Sequence, residues 1–279
     1  MTQHRWKIFS ALVSDTFQEA RARWLFWGLF SLSTLLIAIF LFVLQVDLAA
    51  GAVSLMGIPT TARHIFRIEK FVRISYSWVS IALYIWGTFL AVFASAGLMP
   101  SVLEPGRISL LLSKPLTRTI LLAGRFAGNL LIVAINHVYL VGCVWVIIGV
   151  KTHVWDPRFL LAIPISLFMF AVLLCVVMLT GVVFESAALS VMLPVAIMLI
   201  SAILAQRDVV VRLLSSEWSR ELWVALYWIV PKFYDLGLGM RRFILADQPA
   251  DWWTLVWTSA AFGLAILSGA VLVFRKRDF

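Results

Sequence analysis

The sequence predicts an all-α, polytopic membrane protein with six transmembrane helices in a single transmembrane domain. Three observations predict it. The 279-residue chain is 62% hydrophobic and only 13% charged, where soluble domains carry about a quarter charged residues. Apolar runs long enough to cross about 30 Å of hydrocarbon recur along the whole length. Charged residues gather between those runs and at the ends of the chain. The net charge of +9 therefore belongs to loops facing lipid headgroups. No sizeable soluble face is left to hold nucleic acid, so none is expected as a partner.

The spans follow in order. The first covers 24–46, too long an apolar core for a cleaved leader, and is read as retained. The others cover 76–98, 119–150, 159–184, 187–205 and 252–274. Before them, residues 1–23 repeat apolar side chains at helical spacing (Trp6, Phe9, Val13, Phe17, Ala20, Trp24), predicting an amphipathic helix on the membrane surface. HIFRIEKFVRIS (64–75) reads as a second such helix on the opposite face. Residues 206–251 form a structured outer loop. Its stretch ELWVALYWIV (221–230) ends at Pro231-Lys232 and is too short to cross, so it is expected to lie at the interface or to re-enter.

Total Lys and Arg do not orient the chain. The dense Arg275-Lys276-Arg277 directly after the last span does, placing the C-terminus in the cytoplasm. An even number of spans then places the N-terminus there too. The expected location is the cell inner (plasma) membrane, crossed several times.

Little in the sequence points to chemistry. Cys143 and Cys175 lie inside apolar runs and read as buried thiols. The four histidines are scattered without metal-ligand spacing, so no metal site is expected. No GxxxxGK[ST] loop is present to cradle a nucleotide. An intramembrane enzyme needs paired ionisable groups at depth, and only His137 qualifies, without an acidic partner. The chain is not expected to be an enzyme or to bind a cofactor.

One segment stands out. EPGRISLLLSKPLTR (104–118) is short, basic and bracketed by proline between spans two and three. Pro105-Gly106 interrupts the preceding helix. Ile108–Ser113 has room for one or two turns, and Pro115 stops them. Thr117 or Thr119 is placed to cap span three. This predicts a short helix along the cytoplasmic surface in the segment 99–118. It is either a plain connector or a lever pressed by a soluble partner.

Span three carries Arg125, Asn129, Asn136 and His137 on one side at about 100° per residue. They fit a substrate path, a dimer seam, or hydrogen bonding between neighbouring helices. Gly124 and Gly128 mark a close helix contact at the same end. Glu185 precedes span five, where an acid favours a helix N-terminus.

The string from Glu104 to Arg125, E-x-G-R-I-S-L-L-L-S-K-P-L-T-R-x-x-L-L-x-G-R, resembles the cytoplasmic motif of ABC-2 type transporter permeases. Its SKP variant is similar to permeases linked to maturation of multicopper enzymes such as nitrous-oxide reductase. The ending FRKRDF also resembles tails of such permeases. Pro105 departs from the family, which usually has a polar residue there. The resemblance implies a coupling helix docking on a separate ABC ATPase, with Glu104, Gly106, Arg107, Leu110, Leu111, Leu112, Ser113, Pro115 and Arg118 in the contact. Glu185 is a candidate second contact. It also implies ATP and Mg on the partner ATPase, a second copy of this chain (a homodimer), and export or mechanical work on an extracytoplasmic partner. A periplasmic accessory protein on the outer loop and membrane lipids complete the implied partners. The alternative is a non-transporting membrane scaffold or assembly factor.

Overall fold

In the computed structural model the chain is a bundle of apolar helices. The structure describes residues 2–22, 24–42, 44–47, 52–55, 58–59, 68–97, 99–103, 106, 117–213, 216–246, 248 and 251–276. Among the described residues, five helical stretches are long and apolar enough to cross a membrane: Glu69–Val102, Arg118–Thr152, Pro157–Phe184, Ala187–Leu204 and Trp252–Lys276. A sixth arises if the pair Ser10–Arg21 and Phe26–Phe42, bent by 72°, counts as one span.

Helix α1 (Thr2–Arg21) and α2 (Trp24–Phe42) form that bent pair. The elbow is held by the Trp27 indole donating to the Arg21 carbonyl, 3.0 Å, and by Phe26 packed against Phe17. The apolar run predicted as one span to residue 46 instead leaves the helix at Phe42. A small antiparallel meander follows: β1 (Leu44–Asp47), β2 (Ala52–Leu55) and β3 (Ile58–Pro59). Its β-branched and alternating residues favour strands over continued helix.

Helix α3 (Ile68–Ala82) runs through a π-helical turn, Leu83–Gly87, into α4 (Thr88–Ala96). The predicted separate surface helix at 64–75 is thus, from Ile68 onward, the first turns of span two; residues 64–67 lie outside the described residues. A 3₁₀ turn, Pro100–Val102, ends the span. Helix α5 (Arg118–Thr152) is the longest. Its start is capped as the sequence suggests, the Thr117 hydroxyl accepting from the Ile120 amide at 3.3 Å. After a second 3₁₀ turn, Pro157–Leu161, come α6 (Ala162–Phe184) and α7 (Ala187–Leu204).

Helix α6 forms the core, packed by α4, α5, α7 and finally α11 (Trp252–Lys276). It is apolar around its whole circumference, as a helix with neighbours on all sides must be. Helices α7 and α11 keep large apolar side chains on the outside, among them Leu199 and Leu264, each 63% exposed. In a bilayer these meet acyl chains.

Residues 206–251, expected as an outer loop, hold more helix than the sequence suggested. Helix α8 (Arg207–Leu213) precedes α9 (Glu217–Ile229), which breaks before Pro231 as predicted and buries none of its residues. Helix α10 (Phe233–Ala246) is a second, buried element lying against α3. Tyr84 fixes it, stacking on Phe233 at 4.7 Å and donating to the Phe233 carbonyl at 2.6 Å. Gly237 permits the approach, since a Cβ there would stand 2.8 Å from the Tyr84 ring.

Between α9 and α10, Lys232 is 2% exposed, with its ammonium 3.5 Å from the centroid of the Tyr227 ring. Burial pushes its pKa down to about 8, Asp235 opposing and Arg207 assisting. The unfolded chain therefore keeps a proton that the folded chain releases, and stability rises with pH between about 8 and the ordinary 10.5. Lys232→Met is expected to remove this rise. Thermal unfolding of the two proteins across that window checks it, and parallel curves would contradict it.

Candidate functional site

Arg125 sits two turns inside α5, about 10 Å from its start, and its side chain is fully buried. A lone guanidinium there would be costly. Two carboxylates of α1 reach it: Asp15 at 2.7 Å and Glu19 at 2.6 Å. Asp15 is half exposed, so water screens it, whereas the Glu19 side chain is only 12% exposed. Glu19 is the stronger partner. Its other oxygen accepts from the Ser101 hydroxyl at 2.7 Å. One carboxylate thus joins α1, α5 and the end of span two.

The same face of α1 meets the two glycines of α5. A Cβ on Gly124 would stand 2.7 Å from the Leu12 Cβ, and one on Gly128 2.6 Å from the Thr16 Cβ. The Gly124/Gly128 pair is therefore the seat of α1. The buried face of α1 runs through Leu12, Thr16 and Ala20; Leu12 and Thr16 lie one residue, about 100°, from Val13 and Phe17 of the stripe expected to lie on the membrane, and Ala20 belongs to both. Gly128→Ala is expected to push α1 off α5, at a cost of about 1–3 kcal/mol. Faster proteolysis within α1 at an unchanged rate elsewhere checks it.

These contacts bracket the segment 104–118. At its front stands Ser101, tied to α1. At its back Arg118 donates from Nη1 to the Phe274 and Arg275 carbonyls of α11, at 3.0 and 3.2 Å. A cation serving the last carbonyls of a helix is favourable on both hydrogen-bond and dipole grounds. Arg118 therefore fastens α5 to α11 within the chain. Gly106 is exposed, and a Cβ there would meet no atom within 4 Å among the described residues. Glu104, Arg107, Leu110, Leu111, Leu112, Ser113 and Pro115 lie outside the described residues.

The polar stripe of span three divides along its length. Asn129 is buried and donates to the Arg125 carbonyl at 3.1 Å, within its own helix. Asn136 exchanges hydrogen bonds with Ser33 of α2, at 3.1 and 3.2 Å. His137 is buried, its Nδ1 2.9 Å from the Val133 carbonyl. Arg125 and Asn136 thus find partners inside one copy of the chain, on α1 and α2, while the buried Arg125 Nε has none among the described residues. Asp15, Glu19, Ser33 and Ser101 are the partners that the sequence reading did not identify. The signal was present for two of them, since Asp15 and Glu19 stand one turn apart on a helix beside a span with a buried cation.

Glu185 ends α6 in the left-handed region, at φ 51°, and its side chain is exposed. The cap of α7 is its neighbour Ser186, whose hydroxyl accepts from the Leu189 amide at 3.5 Å. The acid is a turn residue between two spans, one position before the helix N-terminus expected for it. Among the described residues, no three His, Cys, Asp or Glu side chains come together to hold a metal ion.

Compared with known proteins, the chain matches no family model and no curated sequence.

Proposed function

We propose that this chain is the membrane-spanning subunit of an ABC-2 type ABC transporter, coupling ATP hydrolysis on a separate ATPase subunit to export or to mechanical work on an extracytoplasmic partner. The observation that carries the reading is the anchoring of segment 104–118 at both ends. Ser101 ties its front to Glu19, and so to α1 and Arg125 of α5. Arg118 ties its back to the end of α11. A push on the segment reaches three helices directly.

In this reading Leu110, Leu111 and Leu112 supply apolar docking and Glu104 and Arg107 electrostatic register. The ATPase binds ATP and Mg in trans, and two copies of the chain pair in the inner (plasma) membrane with both termini cytoplasmic. The outer helices α8–α10 face an accessory protein or solvent. The alternative, a scaffold without an ATPase, draws on the same geometry, because Arg118 and Arg125 both serve contacts inside the chain. Arg118→Ala cannot separate the two, since it also uncaps α11. Glu104→Ala with Arg107→Ala can. In the reassembled complex these are expected to lower ATPase activity dependent on the membrane subunit about tenfold. Unchanged turnover favours the scaffold.

A further inference from the structure

The end of α9 is tied to the spans at a measurable depth. Past Pro231, the Lys232 amide donates to the Ser259 hydroxyl of α11 at 2.9 Å. Ser259 stands about 24 Å along α11 from Arg275, the first charged residue at the other end of that helix. A hydrocarbon layer about 30 Å thick, measured from that end, reaches about 6 Å beyond Ser259. The next residue agrees: Phe233 stacks on Tyr84, which lies near the middle of the stretch Glu69–Val102. The turn between α9 and α10 is therefore inside the hydrocarbon layer. This depth rests on α11 crossing a membrane and owes nothing to the transporter reading.

The chemistry of α9 changes along its axis to match. Its charged residues, Glu217, Arg220 and Glu221, stand in the first five positions, and none follows from Leu222 to Ile229. A helix lying flat on a membrane carries its polar face along its whole length. A helix that enters end first carries polar residues at one end, as α9 does. The bundle half-covers only the stripe Ser219, Trp223 and Tyr227. Leu222, Val224, Leu226, Trp228 and Ile229 are all exposed, and they spread over about 200° of the circumference. A protein face covers one side of a helix, whereas fluid acyl chains cover every side left open. Lys232 is built for the same surroundings. A lysine facing water extends its ammonium into it. This one is buried, with the rings of Tyr227 and Trp228 at 3.5 and 5.6 Å from its ammonium. The Tyr227 hydroxyl donates to Asp235 at 2.9 Å, which keeps the ring over the cation.

We infer that α9 is a lipid-binding wedge: it enters the leaflet opposite Arg275 end first, with Leu222, Leu226 and Ile229 against acyl chains and Glu217 and Arg220 at the headgroups. Helix α8 and the charged start of α9 stay toward water, where an accessory protein or solvent meets them.

Spin labels on the purified full chain in phosphatidylcholine nanodiscs test this. Single cysteines are placed by Ile229→Cys, Glu217→Cys or Leu264→Cys in a chain carrying Cys143→Ala and Cys175→Ala. Oxygen concentrates in hydrocarbon and a nickel chelate stays in water. The label at position 229 is expected to meet oxygen more than nickel, as at the exposed position 264 of α11, and the label at 217 to reverse that order. Nickel favoured at 229 would overturn the inference, since the helix end is then in water. Exclusion of both probes at 229 would also overturn it, because a second copy of the chain or another protein then covers this face. The unmodified chain gives an independent readout. Phosphatidylcholine with a diazirine in its acyl chain is expected to label 222–229 as it labels the residues around Leu264. Label on α11 with none on 222–229 would contradict the wedge.

Discussion

Glu19→Gln is expected to lower the stability of the folded chain by about 3 kcal/mol, whereas Asp15→Asn is expected to cost under about 1 kcal/mol. Both carboxylates touch Arg125 at nearly the same distance. Their surroundings separate them. Asp15 is half in water, which weakens its attraction and replaces it when lost. Glu19 is largely out of water, and its loss leaves a fully buried guanidinium with one screened partner. It also releases Ser101 and with it the front of segment 104–118. Replacing both members, Arg125→Met with Glu19→Met, is expected to restore most of the stability, since no buried charge then remains. Thermal unfolding in one detergent gives the four values. Equal, small effects for Asp15→Asn and Glu19→Gln would show that Arg125 is hydrated, not held by α1.

The second large effect is expected at the centre of the coupling segment. In the proposed complex Leu111 and Leu112 enter an apolar groove of the ATPase. Leu111→Asp with Leu112→Asp brings two carboxylates into it, and truncation of such anchors alone costs about 2 kcal/mol or more. Affinity for the ATPase is expected to fall at least about thirtyfold. The thermal midpoint of the membrane subunit alone should not move. Co-purification of the ATPase at the unmodified yield would remove these leucines from the contact.

The spans were legible because a long apolar run has few other homes, and their ends were legible wherever a local rule applied. Thr117 caps α5 from its own side chain, and Pro231 stops α9 by its ring and missing donor. The seat of α1 was not legible. Arg125 and its partners are more than a hundred residues apart in sequence, so no local pattern joins them. Periodicity found a face on α1 but chose the more hydrophobic stripe, while the buried face is set by two glycines on another helix. The same reason hid α10. Glycine disfavours a helix interior, and the value of Gly237 lies in letting Tyr84 approach. Arg118 was read through a motif and reached by its resemblance. Its geometry adds a role that the motif does not contain, the fastening of α11.

The central claim, that a separate ATPase drives this chain, is tested most directly by what travels with it. The tagged chain is purified from native membranes in mild detergent, and its companions are identified by mass spectrometry. A partner in roughly equal amount carrying a GxxxxGK[ST] loop, and lost from the Leu111→Asp, Leu112→Asp variant, is the predicted result. A chain that elutes without such a partner, under conditions that keep other ATPase–permease complexes together, would contradict it.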